Sequence, residues 1–110
     1  MDNTAKELKE IRKQIFIVSY KGGMAHLASC FSSVEILYSL YINKILRYDS
    51  KNPKSADRDR FILSKGHAGL ALYAVLVHAG LMSQETFSSY LTDNSQIGGE
   101  PCMRDCPWVE

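Results

Sequence analysis

Two histidines, His26 and His67, are the side chains whose surroundings best suit chemistry. His67 follows Gly66 where the short apolar run at Phe61 passes into an alanine- and leucine-rich stretch. A turn from a buried strand into a helix is where open α/β sheets bind ligands, because free N–H groups and the helix dipole favour anions. His67 could then hydrogen-bond a substrate oxygen, with Gly66 admitting the ligand close to the backbone. That His67 merely satisfies the helix start remains an open alternative.

His26 lies in the stretch GGMAHLASCFS, where small residues on both sides would let a ligand or another backbone approach. Taken alone, a histidine in an apolar stretch more often satisfies a buried hydrogen bond than performs catalysis. Proximity to His67 would favour a functional role. His78 lies near the end of a predicted helix, where a cation suits the dipole, and is assigned no function.

Other chemistries are weakly supported. Four residues are suitable zinc ligands by type: His26, His67, Cys102 and Cys106. The two histidines, however, lie 41 positions apart, and the two cysteines lie within an irregular tail, unlike the ligands of compact zinc sites. We therefore predict no metal site from this chain. The sequence has no glycine-rich phosphate loop and no serine-nucleophile elbow. Lys65 could attract a phosphate, although a solvated lysine is the simpler interpretation.

The elements that must position these residues are mostly helical. Thr4 and Glu7 form a capping-box pattern, and apolar residues then recur at helical spacing until Gly22 and Gly23. Ser32 and Glu35 repeat the pattern, which predicts a second helix from Ser32 to near Arg47. The small-residue stretch between these helices is predicted to be a covered connection.

The middle of the chain combines a loop, a strand and further helices. Residues 48–60 are polar and without periodicity, which indicates a surface loop. The apolar run within residues 60–64 predicts a short buried strand. A helix is predicted from Ala68 to His78, ending at Gly80, and Ser83 is expected to cap a short helix after it. The remaining tail shows turn-forming residues and no period.

Length and composition indicate one soluble globular unit. A chain of 110 residues can build a single modest core. The 13 Lys and Arg residues against 12 Asp and Glu residues give no basic footprint, so nucleic acid is not an expected partner. The sequence offers neither a secretory signal nor a run long enough to cross a membrane. Three cysteines at irregular spacing favour a reducing compartment, and we expect a cytoplasmic protein.

Three stretches carry a family resemblance: HLASCFSSVEILYSLY, RDRFILSKGHAGLALYAVL and GGEPCMRDCPWVE. In this order they resemble the N-terminal part of transketolases, above all those built from two half-length subunits. The similarity runs from about Leu8 to Glu110. Deoxyxylulose-phosphate synthases share the early histidine block, but the sequence DRFILSKGHA at residues 59–68 favours transketolase. The implied fold is α/β: the N-terminal part of a thiamine diphosphate-binding fold, locally mostly helical with the short strand.

The resemblance implies a role for both histidines. His67 and Gly66 correspond to a turn beside thiamine diphosphate and the sugar substrate, and His26 to a histidine that contacts substrate hydroxyls. The implied reaction transfers a two-carbon ketol unit between sugar phosphates, and the cofactor carries the difficult electron flow. His26 and His67 would then orient substrate and move protons rather than act as nucleophiles.

The chain departs from the family pattern in places. Glu100 occupies the position of a further substrate-contacting histidine, so substrate binding at Glu100 is in doubt. Trp108 occupies a position that is usually glycine, and a tryptophan would disturb the loop if that position needed a positive φ or close packing. Ala28 and Ser29 are milder changes at positions that are often glycine.

The resemblance also implies further polypeptide. The Gly-Asp-Gly segment that holds Mg²⁺ and the cofactor diphosphate would follow residue 110, and the glutamate that activates the cofactor belongs to another domain. Residues 1–110 are therefore expected to be a partial, truncated diphosphate-binding domain, inactive alone. It would pair with a C-terminal transketolase portion or subunit, in a homodimer or heterotetramer. The alternative is a non-catalytic helical interaction module or degenerate fragment that pairs with a partner chain.

Overall fold

Helices dominate the computed structural model, which describes residues 3–22, 27–90, 92, 95, 97–98, 101 and 106–110. Helix α1 spans Thr4–Gly22, α2 spans Leu27–Tyr41, α3 spans Gly69–His78 and α4 spans Gln84–Ser88. A single 3₁₀ turn, Gly66–Ala68, leads directly into α3. The three long helices pack against one another around one core.

Helix α3 is the centre of this core. All of its residues from Gly69 to Leu76 are buried, because the helix is apolar on every side and is covered on every side. The helix ends at His78 as predicted, and Gly80, the predicted stop, takes a φ of +81°. There the amides of Gly80 and Leu81 donate to the carbonyls of Val77 and Leu76, which closes a Schellman motif.

Helix α1 matches its predicted span and presents Ile11, Ile15 and Val18 to the core. Glu7, expected in a capping box, also reaches other helices: its carboxylate accepts a hydrogen bond from the hydroxyl of Tyr38 on α2. The same oxygen lies 3.8 Å from Nε2 of His78 at the end of α3. Glu7 therefore contributes a polar contact among the three long helices.

Helix α2 differs from its prediction at both ends. It begins at Leu27 rather than Ser32, because Ser32 and Ser33 direct their hydroxyls back to the carbonyl of Ser29 and so lie within the helix. It ends at Tyr41 rather than near Arg47. Lys44 takes a left-handed φ of 57°, which a continuing helix cannot contain. The expected covered connection is therefore partly helix, at Leu27 and beyond.

The predicted strand does not form. Within the described residues no β-strand is present, and the only bridge joins Asp49 and Asn52. Residues 60–64 run without helix or strand, and the side chain of Ile62 is 69% exposed. A strand requires a neighbouring ladder of hydrogen bonds. The amide of Glu110 donates to Phe61 at 2.7 Å, but a single bond of this kind does not make a sheet.

The connection between α2 and the 3₁₀ turn is the predicted surface loop, and its two ends are tied together. The amide of Arg47 donates to the Asp59 carboxylate at 2.7 Å, and the amide of Asp59 donates to the carbonyl of Arg47 at 2.8 Å. The guanidinium of Arg47 adds an ion pair at 3.0 Å. Because of these bonds, the chain re-enters the fold close to where it left α2.

Two further predictions concern the end of the chain. Ser83 caps α4 as expected, since its hydroxyl accepts a hydrogen bond from the amide of Thr86 at 3.0 Å. The tail, predicted to be irregular, nevertheless adds to the core: Ile97, Cys106 and Val109 are all buried. In the part of the chain that the structure describes, every helix is too short or too polar to span a membrane.

Candidate functional site

The turn that carries His67 is built by a 3₁₀ step in front of α3. Lys65 precedes the step with φ −85° and ψ 73°, and its carbonyl accepts a hydrogen bond from the amide of Ala68 at 2.9 Å. The amide of Gly69 donates to the carbonyl of Gly66. These bonds fix the turn, and they leave the side chain of His67 exposed at the start of a ten-residue helix.

Helix α2 packs against this turn and contacts it through Cys30 and Ser32. The thiol of Cys30 lies 3.9 Å from the carbonyl oxygen of His67, and the ammonium of Lys65 donates to the hydroxyl of Ser32 at 3.0 Å. Burial raises the pKa of the Cys30 thiol, and this outweighs the opposing effect of the Lys65 charge. Cys30 therefore packs as a neutral thiol beneath the turn, while Lys65 and Ser32 face solvent.

The site so described presents a cation and an imidazole at a helix N-terminus. Lys65 and His67 are both exposed, and the dipole of α3 adds partial positive charge at its first turn. This combination suits an oxygen-rich or anionic group, and the exposed imidazole can donate to or accept from it. The turn therefore has the chemistry to bind and orient such a group.

The sequence-predicted site residues divide into two sets. Gly66 and His67 lie in the turn as predicted, at the entrance to α3. His26 and Glu100 lie outside the described residues, as does the zinc candidate Cys102, whereas the candidate Cys106 is buried in the core. The convergence of His26 with His67 therefore remains a prediction. Within the described part of the chain, no three His, Cys, Asp or Glu side chains gather as metal ligands.

Sequence reasoning missed the contribution of Ser32 and Cys30 to the turn. The sequence pattern predicts that Ser32 caps a helix, but its hydroxyl accepts a hydrogen bond from the ammonium of Lys65. The two residues are 33 positions apart, so no local pattern could have paired them. The small-residue composition around Cys30 was the available signal, because it predicted close approach of another segment.

Trp108 does not disturb its loop. Among the described non-glycine residues only Lys44 has a positive φ, so Trp108 occupies a backbone conformation open to any residue. Its ring stands edge-on to Tyr48 at 5.9 Å, and its carbonyl accepts a hydrogen bond from the hydroxyl of Tyr41 at 2.7 Å. The condition for a conflict at this position, a positive φ, is therefore not met.

Comparison with known proteins identifies the fold family that carries this turn. Residues 7–110 match the family model described as the transketolase, thiamine diphosphate binding domain. The chain belongs to the transketolase family. The match spans the N-terminal resemblance seen in the sequence and includes the turn of Gly66 and His67.

Individual transketolases and related proteins show how much of a relative this chain spans. The chain is 35% identical over 112 residues to one subunit of an apulose-4-phosphate transketolase from Actinobacillus succinogenes, covering 99% of the chain and 40% of the relative. It is 38% identical over 79 residues to human transketolase, covering 72% of the chain and 12% of the relative. A protein named ferredoxin fas2 from Rhodococcoides fascians is 38% identical over 90 residues, covering 82% and 29%. This transketolase-family chain therefore spans well under half the length of each.

Proposed function

We propose that this chain supplies the His67 turn to an enzyme that transfers a two-carbon ketol unit between sugar phosphates. The observation that carries the proposal is the exposed His67 beside Lys65 at the N-terminus of α3, within a chain of the transketolase family. Sugar phosphates are anionic and rich in hydroxyls, and both features match this donor set. His67 is proposed to orient substrate and to hold or move a proton at an imidazole nitrogen.

The donor set also fits contact with thiamine diphosphate, although not a complete site for it. Gly66 and His67 could meet the cofactor where the backbone enters α3. When bound, thiamine diphosphate supplies the electron flow that breaks and forms the carbon–carbon bonds. The described residues hold no cluster of metal ligands, so they do not fit as the holder of Mg²⁺, and we assign no step to that ion.

His26 is proposed to contact substrate hydroxyls from the other side of the same site, as the sequence resemblance implies. Residues 1–110 are proposed to be part of a larger diphosphate-binding domain, because the chain covers 40% of the Actinobacillus relative. The name of that relative makes it one subunit of its enzyme, which supports a companion subunit for this chain also. Activity would then require polypeptide beyond these 110 residues, and we propose that the chain alone is inactive. A cytoplasmic location remains part of the proposal.

A hybrid enzyme tests these proposals. This chain would replace the matching segment of the Actinobacillus relative, 40% of its length. The hybrid would be purified with the companion subunit of that enzyme, then assayed with thiamine diphosphate, Mg²⁺ and sugar phosphates. We expect the hybrid to transfer ketol units and His67→Ala to lower kcat/KM by about 100-fold or more. His78→Gln, an exposed histidine elsewhere, is the control and should change kcat/KM by no more than about twofold.

Two outcomes would contradict the proposed function. The first is a folded, assembled hybrid that binds no thiamine diphosphate, since the chain would then fail to complete the cofactor site. The second is a hybrid in which H67A and H78Q behave alike. Catalysis by the isolated 110 residues at enzyme-like rates would instead contradict the need for further polypeptide.

A non-catalytic interaction module is the second candidate. Phe16 and Tyr20 are 52% and 80% exposed on α1 and their rings stack at 6.4 Å, which is the specific observation in its favour. Exposed aromatic pairs are common anchors of protein interfaces. A folded hybrid without cofactor binding, combined with retained assembly that Phe16→Ala abolishes, would favour this candidate over the enzyme.

A further inference from the structure

Trp108 is the only tryptophan of the chain, and it joins the C-terminal segment to the end of α2, 67 positions earlier, and to the loop that follows α2. Its indole meets the ring of Tyr48, in the surface loop, edge-on at 5.9 Å and 68°. Its carbonyl accepts a hydrogen bond at 2.7 Å from the hydroxyl of Tyr41, the last residue of α2. Trp108 therefore contacts the loop through its ring and the helix through its backbone.

Tyr41 connects Trp108 to Phe61. The Tyr41 ring lies 5.9 Å from Tyr48 and stands edge-on to Phe61 at 5.8 Å and 84°. The hydroxyl of Tyr48 donates to the carbonyl of Tyr41 at 2.7 Å. We call Tyr41, Tyr48, Phe61 and Trp108 the aromatic cluster. Because burial raises the pKa of Tyr41, its hydroxyl stays protonated as the donor to Trp108 at physiological pH.

Glu110 holds Phe61 through a backbone hydrogen bond. Its amide donates to the carbonyl of Phe61 at 2.7 Å. Its carboxylate pairs with Arg58 at 2.9 Å and with Arg60 at 3.5 Å, and the Arg58 and Glu110 side chains are only 18% and 21% exposed. Phe61 is therefore held through its ring by Tyr41 and through its backbone by Glu110, and the backbone attachment comes from the segment that contains Trp108.

The position of Phe61 matters because it lies six places before His67 on an extended run. Within the described residues no strand ladder fixes that run, and Ile62 is exposed. Leu63 packs against the core as a partly buried side chain, and Lys65 donates a hydrogen bond to Ser32 on α2. The run into the His67 turn is thus held at one end by the aromatic cluster and at the other by α2.

We infer that Trp108 is a positioning residue, which closes the aromatic cluster and thereby sets the course of residues 61–67 into the His67 turn. Its functional meaning rests on the role proposed above for His67. The structural claim does not depend on that role. Removal of the indole uncovers the ring of Tyr48 and frees residues 106–110, whose last residue, Glu110, bonds to the backbone of Phe61. Local opening should then increase along this run more than in the helices.

Hydrogen exchange on the 110-residue chain tests the inference without cofactor or substrate. Trp108→Ala should accelerate amide exchange over residues 61–68 by about tenfold or more while α1 and α3 change little. Trp108→Phe, which keeps an aromatic edge against Tyr48, should restore most of the protection. Phe16→Ala removes an exposed aromatic from α1 and is the matched control, with no change expected over residues 61–68.

A second measurement reports on His67 itself. The NMR signals of the His67 imidazole should shift in W108A, return toward their original positions in W108F and stay unchanged in F16A. A uniform acceleration of exchange across the chain would indicate general destabilisation and would overturn the positioning role. Unchanged exchange over residues 61–68 would overturn it as well.

Tyr48→Leu keeps the test decisive if W108A does not fold. This variant leaves the indole in place and removes its aromatic neighbour, so Trp108 emission should move to longer wavelength as residues 61–68 exchange faster. Emission and exchange both unchanged would refute the cluster. Since none of these readouts needs catalysis, failure here is distinguishable from failure of the hybrid-enzyme assay.

Discussion

The ammonium of Lys65 donates a hydrogen bond to the hydroxyl of Ser32 at 3.0 Å, linking the His67 turn to α2. On the same helix, the thiol of Cys30 lies 3.9 Å from the carbonyl of His67. The turn is thus attached to α2 through one exposed polar contact and one buried contact. This arrangement gives the imidazole access to solvent while its backbone is held.

The Lys65–Ser32 contact should be energetically small. Both residues are exposed, and exposed hydrogen bonds and charges contribute about 1 kcal/mol or less. A double-mutant cycle with Lys65→Met and Ser32→Ala, measured by urea unfolding, should give a coupling free energy below about 1 kcal/mol but above zero. Ser33→Ala is the matched control, because Ser33 bonds to Ser29, and its coupling with K65M should be zero. Equal coupling for both serines would contradict the contact.

The core and the extended run should respond very differently to truncation. Leu72→Ala removes a side chain that is 0% exposed and should lower the free energy of unfolding by about 2–5 kcal/mol. Ile62→Ala removes one that is 69% exposed and should change it by less than about 0.5 kcal/mol. Chemical denaturation measures both. A large loss from I62A would mean that Ile62 is buried in solution and would contradict its exposed position.

Glu35 should make stability depend on acidity. The hydrogen bond from Arg12 holds the pKa of the Glu35 carboxyl below its ordinary value of 4.5. A lowered pKa in the folded chain means that the carboxylate stabilises the fold above about pH 4.5 and that this contribution is lost as the pH falls through the folded pKa. The stability gap between wild type and Arg12→Gln should therefore narrow in acid, as urea unfolding across pH can show.

Part of the stability difference between wild type and Arg12→Gln does not come from Glu35. Arg12 also donates to the carbonyl of Phe31 at 3.1 Å, and that contact does not titrate, so some difference should persist in acid. NMR titration should place the Glu35 pKa higher in R12Q than in wild type. Arg47→Gln, which removes a partner of Asp59, serves as the control and should leave Glu35 unaffected. An unchanged Glu35 titration in R12Q would refute the assignment.

Cys30 should be unreactive while the chain is folded. The thiol is buried and its pKa is raised by burial, so both access and thiolate population are low at neutral pH. Iodoacetamide labelling followed by peptide mass spectrometry should modify Cys30 slowly in buffer and rapidly in urea. Labelling of Cys30 at the same rate under both conditions would show that the contact beneath the His67 turn is open in solution.

Local patterns predicted the parts of the fold that local forces decide. The cap at Ser83 depends on an amide three residues away, and the stop at Gly80 depends on one backbone angle, so both were predicted correctly. The start of α2 was wrong, because Ser32 can either cap a helix or bond back within one. The choice between them depends on neighbours that bury Cys30 and Val34, which no local pattern specifies.

The prediction of a strand at residues 60–64 was wrong for a related reason. Phe61, Ile62 and Leu63 have the composition of a buried strand, but composition does not supply the neighbouring strand that a ladder requires. In the described structure the aromatic cluster and Glu110 hold Phe61 instead, and Ile62 faces solvent. The expected strand could be identified as apolar and extended, but not as paired.

The sequence by itself determined the order of the helices but not the bounds of α2, and it determined the stop at Gly80, the place of His67 before α3 and membership of the transketolase family. Each of these depends on residues close together in the chain or on a whole ordered pattern. Only the tertiary structure decided that Ser32 and Cys30 hold the turn and that Trp108 closes a cluster on Tyr41 and Tyr48. Those contacts join positions far apart in the sequence, and packing in three dimensions selects them.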